Sequence, residues 1–149
     1  MLILAVGCGR VGYDDGEFTD SVDGSLEEVT NACGLVNVSP ATGGASSVKD
    51  ELQAGPFEPM CGAGSRDALA IELSVTTRGT FAIEGSAQSF DAILGLFEGP
   101  CDSLDYVACV STSLPKESIL MTLDPNTYVV VVQAVDYQGG DGEILVERR

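Results

Sequence analysis

The chain contains no histidine. That absence removes Ser-His-Asp and Cys-His nucleophilic catalysis, and with them the imidazole that most metal centres use. Tryptophan is missing as well, and only 7 Lys and Arg stand against 23 Asp and Glu, for a net charge of −16. Phosphate backbones need neutralising cations, so the chain is not expected to bind nucleic acid. Attraction to an anionic membrane surface by charge alone is disfavoured for the same reason. Downstream of the first residues, nothing approaches the roughly 18 consecutive apolar residues of a membrane helix. The acidity suits a protein kept soluble at a surface.

What is present points to strands. Apolar residues make up 44% of the 149 positions, and the 18 glycines fall in turns between short apolar runs. Alternation is clearest at 68–75, where Leu69, Ile71, Leu73 and Val75 face a core and Glu72 and Ser74 face water. Residues 34–39 form a first strand, and 80–84 another, with Phe81 and Ile83 inward. The run 90–97 is apolar on both faces, which predicts a central strand covered on both sides. Shorter strands follow at 106–110 and at 118–123, the latter with Ile119, Met121 and Leu123 inward. Asp124-Pro125-Asn126 has the chemistry of a turn. A strong strand covers 128–135, a glycine-rich turn 136–142, and a last strand 143–147. Residues 40–60 are polar, with prolines and glycines, and read as a long loop holding at most one weak strand. About eight short strands punctuated by turns predict an all-β domain, a sandwich or a barrel.

The N-terminus reads MLILAVGC. It resembles a bacterial lipoprotein signal, with Ala5-Val6-Gly7-Cys8 as the lipobox and Cys8 as the lipidated residue. The apolar run is short and no basic residue precedes it, as in a signal truncated at its start. A lipid on Cys8 anchors a protein without spanning the bilayer. Gly9 follows it, where an aspartate would mark inner-membrane retention, so the outer membrane or cell surface is the expected location. Residues 9–32 then carry Asp14, Asp15, Glu17, Asp20, Asp23, Glu27 and Glu28 with few apolar residues. Such a segment cannot offset its ordering entropy and is expected to be a flexible acidic linker. Counted from Asp20, an EF-hand pattern fails at Val22 and Gly24. The organisation expected is therefore a signal at 1–8, a linker at 9–32 and a domain at 33–149.

Setting Cys8 aside leaves Cys33, Cys61, Cys101 and Cys109. None of their spacings suits zinc or a Cys-x-x-Cys redox pair, so disulfides are expected. Cys101 and Cys109 flank a short loop that a hairpin can close, which leaves Cys33 to pair with Cys61. Three connectivities remain open for four cysteines.

An ordered set of motifs carries a family resemblance. Cys61-Gly62 comes first, then Arg66-Asp67-Ala68-Leu69-Ala70-Ile71, Gly79-Thr80-Phe81 and Ser89-Phe90-Asp91-Ala92-Ile93-Leu94. Cys101 to Cys109 follows, and Val135-Asp136-Tyr137 closes the set. Over 33–149 this resembles the bacterial pre-peptidase C-terminal domain, in the versions found in secreted and surface proteins of myxobacterial type. The resemblance implies a jelly-roll-like antiparallel β-sandwich that serves secretion, stability or attachment and not chemistry. The chain departs from the pattern at Ala92, at Gln138 and at Val110-Ser111-Thr112, where acidic residues often follow the second cysteine. A cation site built from that acidic cluster therefore does not carry over, and no cofactor is expected. Asp91 and Asp136 stand at matching positions. Capping and turn hydrogen bonds are the preferred reading for both, with calcium ligation as the alternative.

The expected function is a non-catalytic, lipid-anchored surface module that binds a glycan or an envelope protein. Tyr106, Tyr128 and Tyr137 are candidates for aromatic stacking, although tyrosines on strands more often fill a core or an edge. A glycan hydrolase using two carboxylates among Asp91, Asp102, Asp105 and Asp136 is the enzymatic alternative that a histidine-free chain still permits. A structural spacer or inhibitor is the third.

Overall fold

The computed structural model describes residues 33–54, 57–58, 60–61, 64–88, 91–135 and 140–149. The signal, Cys8, the acidic linker, Ser89, Phe90, Asp136, Tyr137 and Gln138 lie outside these residues. Ten strands form: β1 (Val36–Val38), β2 (Ala45–Glu51), β3 (Gln53–Ala54), β4 (Gly64–Val75), β5 (Gly79–Ala87), β6 (Ala92–Glu98), β7 (Asp105–Val110), β8 (Lys116–Leu123), β9 (Asn126–Val135) and β10 (Asp141–Arg148). They build two sheets. Sheet A runs β1-β4-β9-β6-β7, with β3 paired to β4, and sheet B runs β2-β10-β5-β8.

The topology is a jelly roll. Without β1 and β3, the two orders are β2-β10-β5-β8 and β4-β9-β6-β7. Each connection crosses between the sheets except the β6–β7 hairpin, which stays in sheet A. Pairing is antiparallel apart from β1, which runs parallel to β4 with Val36 opposite Ile71 and Val38 opposite Leu73. The fold therefore agrees with the expected all-β sandwich, with ten strands in place of about eight and one parallel pair at its margin.

The segment 40–60 is the main correction. It holds two strands, β2 and β3, in place of at most one weak strand, and β2 pairs along its whole length with β10, from Ala45 opposite Glu147 to Glu51 opposite Asp141. Without this strand sheet B would lack one of its four members. Alternation fails to reveal it because β2 lies at the sheet's edge. Its backbone is bonded to β10, but its only large apolar residue is the half-buried Val48. Lys49, Asp50 and Glu51 mark it as an edge strand protected by charge.

The core between the sheets is built by the residues that alternation selects. Leu69, Ile71, Leu73 and Val75 of β4 meet Phe81 and Ile83 of β5, Ile119 and Leu123 of β8, and Ile144 and Val146 of β10. Strand β9 lies at the centre of sheet A and is buried on both faces. Val130 and Val132 point into the sandwich, while Val129 and Val131 point to the outside of sheet A. Strand β6 shows the same double burial, with Leu94 and Leu96 inward and Ile93 outward. This is the covered strand that the apolar run 90–97 predicts. Its outer cover is the end of the 40–60 segment, which lays Phe57 and Met60 across sheet A.

Candidate functional site

The covered outer face of sheet A holds a pocket of about 350 Å³ walled by Phe57, Met60, Phe97, Leu104 and Tyr106, with the Cys61–Cys109 disulfide beneath and Glu58 at its side. Each wall has an identifiable origin. Phe97 and Tyr106 lie opposite one another on the β6–β7 hairpin. A register shift between Leu96 and Phe97 leaves Val107 without a partner residue. Such a bulge re-aims the side chains beyond it, and here Tyr106, not Val107, faces Phe97. Their rings meet edge to face, 6.3 Å between centroids and 77° between planes, the arrangement that aromatic quadrupoles favour. Tyr106 remains 68% exposed.

Met60 reaches the floor of the pocket because residue 95 is glycine. A Cβ on Gly95 would collide with Met60 Sδ and stand 3.1 Å from Phe97 Cε2. Opposite Gly95 on β7 is Cys109, which bonds Cys61 with a Cα–Cα distance of 6.0 Å. Cys61 itself takes a left-handed φ of 52°, a conformation that costs a non-glycine residue on the order of 1–3 kcal/mol and persists only when its surroundings hold it. One of those holds is Gln133 of β9, which is fully buried. Its Oε1 accepts a hydrogen bond from the Met60 N–H (3.0 Å), and its Nε2 donates to the Glu58 carbonyl (3.0 Å). A glutamine amide has the donor and the acceptor to satisfy both backbone groups at once. Gln133 was not singled out from the sequence. The only signal was a polar residue inside the run Val129–Val135, where a strand buried on both faces tolerates one only with partners.

The cysteines pair as Cys33–Cys101 and Cys61–Cys109, not as the hairpin spacing suggests. Cys101 sits in the turn after β6, and Cys109 lies four residues along β7 from Asp105. Cys109 thus stands roughly 13 Å from the end of β7 nearest the turn, at about 3.3 Å per residue, more than a disulfide spans. The two bridges interleave along the chain. One ties the start of the domain to the hairpin turn, and the other ties the pocket cover to β7. Two disulfides belong to an oxidising, extracytoplasmic compartment.

Among the described carboxylates proposed for hydrolysis, Asp91 lies apart from Asp102 and Asp105. Asp91 precedes β6, whereas Asp102 and Asp105 follow it, both exposed. The seven residues between separate them by roughly 23 Å, against the roughly 5–9.5 Å of a glycosidase pair. Asp91 uses its backbone carbonyl to accept from the Val135 N–H at 2.9 Å. That pairing brings it beside the residue preceding Asp136, which lies outside the described residues. Among the described residues no group of three or more Cys, Asp or Glu converges as a metal site would require.

Tyr128 is a core residue, 4% exposed, and donates its hydroxyl to the Asp124 carbonyl at 3.0 Å. Burial raises its pKa above the ordinary 10.0, and the Glu98 carboxylate pushes in the same direction. With the folded pKa above the unfolded one, the associated stability is fully present below pH 10 and is lost as pH rises through the folded value. Tyr128→Phe is expected to flatten this alkaline arm and to lose about 1 kcal/mol at neutral pH with the hydrogen bond. Urea unfolding of both proteins from pH 7 to 11 tests it. Parallel curves above pH 10 would show that another group titrates.

No family model matches the chain, and no curated protein matches it either. Solved structures do share its architecture. The pre-peptidase C-terminal domain of a collagenase from Bacillus anthracis superimposes with a TM-score of 0.53 at 13% identity, over 83% of this chain and 100% of that one. The chain folds like a pre-peptidase C-terminal domain. The periplasmic inhibitor of g-type lysozyme from Aeromonas hydrophila is also similar, with a TM-score of 0.50 at 9% identity, over 77% of this chain and 97% of that one. At such identities the likeness concerns the fold. The pre-peptidase-like sandwich leaves the pocket on sheet A as the feature to interpret.

Proposed function

We propose that this chain is a non-catalytic, extracytoplasmic binding module, lipid-anchored through Cys8, that recognises an envelope or surface protein with the aromatic pocket on sheet A. The pocket carries the reading. Its walls are apolar and aromatic, its floor is pinned by Gln133 and a disulfide, and the exposed Tyr106 stands at its side. Preformed apolar concavities with exposed aromatics suit the anchor side chains that dominate protein interfaces. A glycan would call for more polar groups than Glu58 and the Tyr106 hydroxyl provide. Asp91 is distant from the exposed Asp102 and Asp105, which gives no support to hydrolysis through a pair that joins them. A similar fold in a periplasmic lysozyme inhibitor supplies a precedent for a sandwich of this kind acting on another protein.

The test places a benzophenone amino acid at position 106, and separately at Leu120, in the native host. Leu120 is 63% exposed on β8 in sheet B, away from the pocket. A discrete protein adduct at 106 and none at 120 is the expected result. Equal labelling at both sites, or none at 106, would remove the pocket from the function. Mass spectrometry of the same protein is expected to find Cys8 acylated at a new N-terminus. A free Cys8 within an intact chain would remove the anchor.

A further inference from the structure

The charges around the pocket are unevenly placed. The hairpin that supplies Phe97, Leu104 and Tyr106 also carries Asp102 and Asp105, both exposed, and it contains no Lys or Arg. Among the described residues, none lining the pocket is cationic. Apart from Arg66, which belongs to β4 of sheet A, the basic residues of the described segments sit elsewhere: Lys49 on β2, Lys116 on β8, Arg148 at the end of β10 and Arg149 after it, and Arg78 in the turn between β4 and β5. Several of these are already engaged. Lys116 pairs with Glu84 at 2.7 Å, Arg78 with Asp124 at 3.4 Å, and the Arg148 guanidinium lies 5.6 Å from the centre of the Phe81 ring. The outer face of sheet A thus combines an apolar pocket with a carboxylate-bearing hairpin, on a chain of net charge −16.

We propose that the occupant is a basic protein, which seats one apolar or aromatic side chain in the pocket and sets lysines or arginines against the Asp102–Asp105 turn. This rests on the binding-module reading and specifies its partner. The division of labour follows from interface physics. The buried anchor supplies affinity and slow release. The opposed rim charges steer the encounter, and their effect falls with added salt. A partner with an acidic rim would be repelled by this hairpin.

Four synthetic nine-residue peptides separate the two contributions, with a central Phe or Gly flanked on both sides by Lys or by Glu. Their binding to the full chain is measured by fluorescence anisotropy at 50 and 300 mM NaCl. The Lys-flanked Phe peptide is expected to bind at least tenfold more tightly than each of the other three, and to lose several-fold in affinity at the higher salt. Tyr106→Ala is expected to abolish the advantage of Phe over Gly. Asp102→Asn with Asp105→Asn is expected to reduce the advantage of Lys over Glu and leave that of Phe. Equal binding of the two Phe peptides would overturn the basic partner while leaving the pocket as a binding site. Equal binding of the two Lys peptides would reduce the effect to unspecific charge attraction and overturn it too. Failure of all four peptides, together with no adduct at position 106, would overturn the binding-module reading itself.

Discussion

Replacing Cys61 and Cys109 together by alanine is expected to cost about 4 kcal/mol of unfolding free energy. The bridge spans 48 residues, and removing the constraint of a loop that size from the unfolded chain gives roughly this value, with about 2–5 kcal/mol typical for native bridges. The loss should exceed what the sulfur contacts alone would explain, because Cys61 also loses the restraint on its left-handed backbone. Denaturant unfolding of the double variant measures it. Non-reducing peptide mapping of the parent protein is expected to recover Cys33 linked to Cys101 and Cys61 linked to Cys109. A Cys101–Cys109 peptide would refute the interleaved arrangement, and the variant's stability would then report on two stranded thiols.

Gln133→Leu is the second large effect. The substitution keeps the approximate volume in a fully buried site but removes both hydrogen bonds to the pocket cover. The buried Met60 N–H is left without its acceptor, and each such orphaned group costs about 1–3 kcal/mol. A total loss of about 3 kcal/mol is expected, seen as a lower urea midpoint with an unchanged slope. Hydrogen exchange should accelerate first at Met60 and Cys61, since the remaining ladder of β9 is unaffected. If stability and exchange stay as in the parent, Met60 burial and the disulfide alone hold the cover.

Some of this architecture can be read from residue order because burial imposes it locally. In β4 the inward residues are apolar, and the outward Glu72 and Ser74 are polar, hydrogen-bonding Asn37 of β1. In β6 and β9 there is no alternation, and the structure covers both of their faces. The Asp124-Pro125 turn appears where its chemistry places it. The strand β2 could not be read in this way. What holds it is a ladder of backbone bonds to β10, and the backbone is the same for every residue type. The pocket is likewise non-local. Phe57, Met60, Phe97 and Tyr106 come from segments about forty residues apart, and each looks like an ordinary core or edge residue in isolation.

Composition and pattern by themselves determined an all-β chain, free of histidine chemistry, with strands β4 to β9 close to where they are found and cysteines suited to bridges. The strong acidity was legible as well. These properties follow from side-chain type and period-two burial, which each residue carries with it. The jelly-roll form agrees with what the family resemblance implies, and only the tertiary structure decided which strands pair in each sheet, the membership of β2, the interleaved disulfides and the gathering of the aromatic pocket. Those depend on which distant segments meet, and that is settled by the joint packing of two sheets, by a glycine that makes room for Met60, and by one buried amide that holds it there.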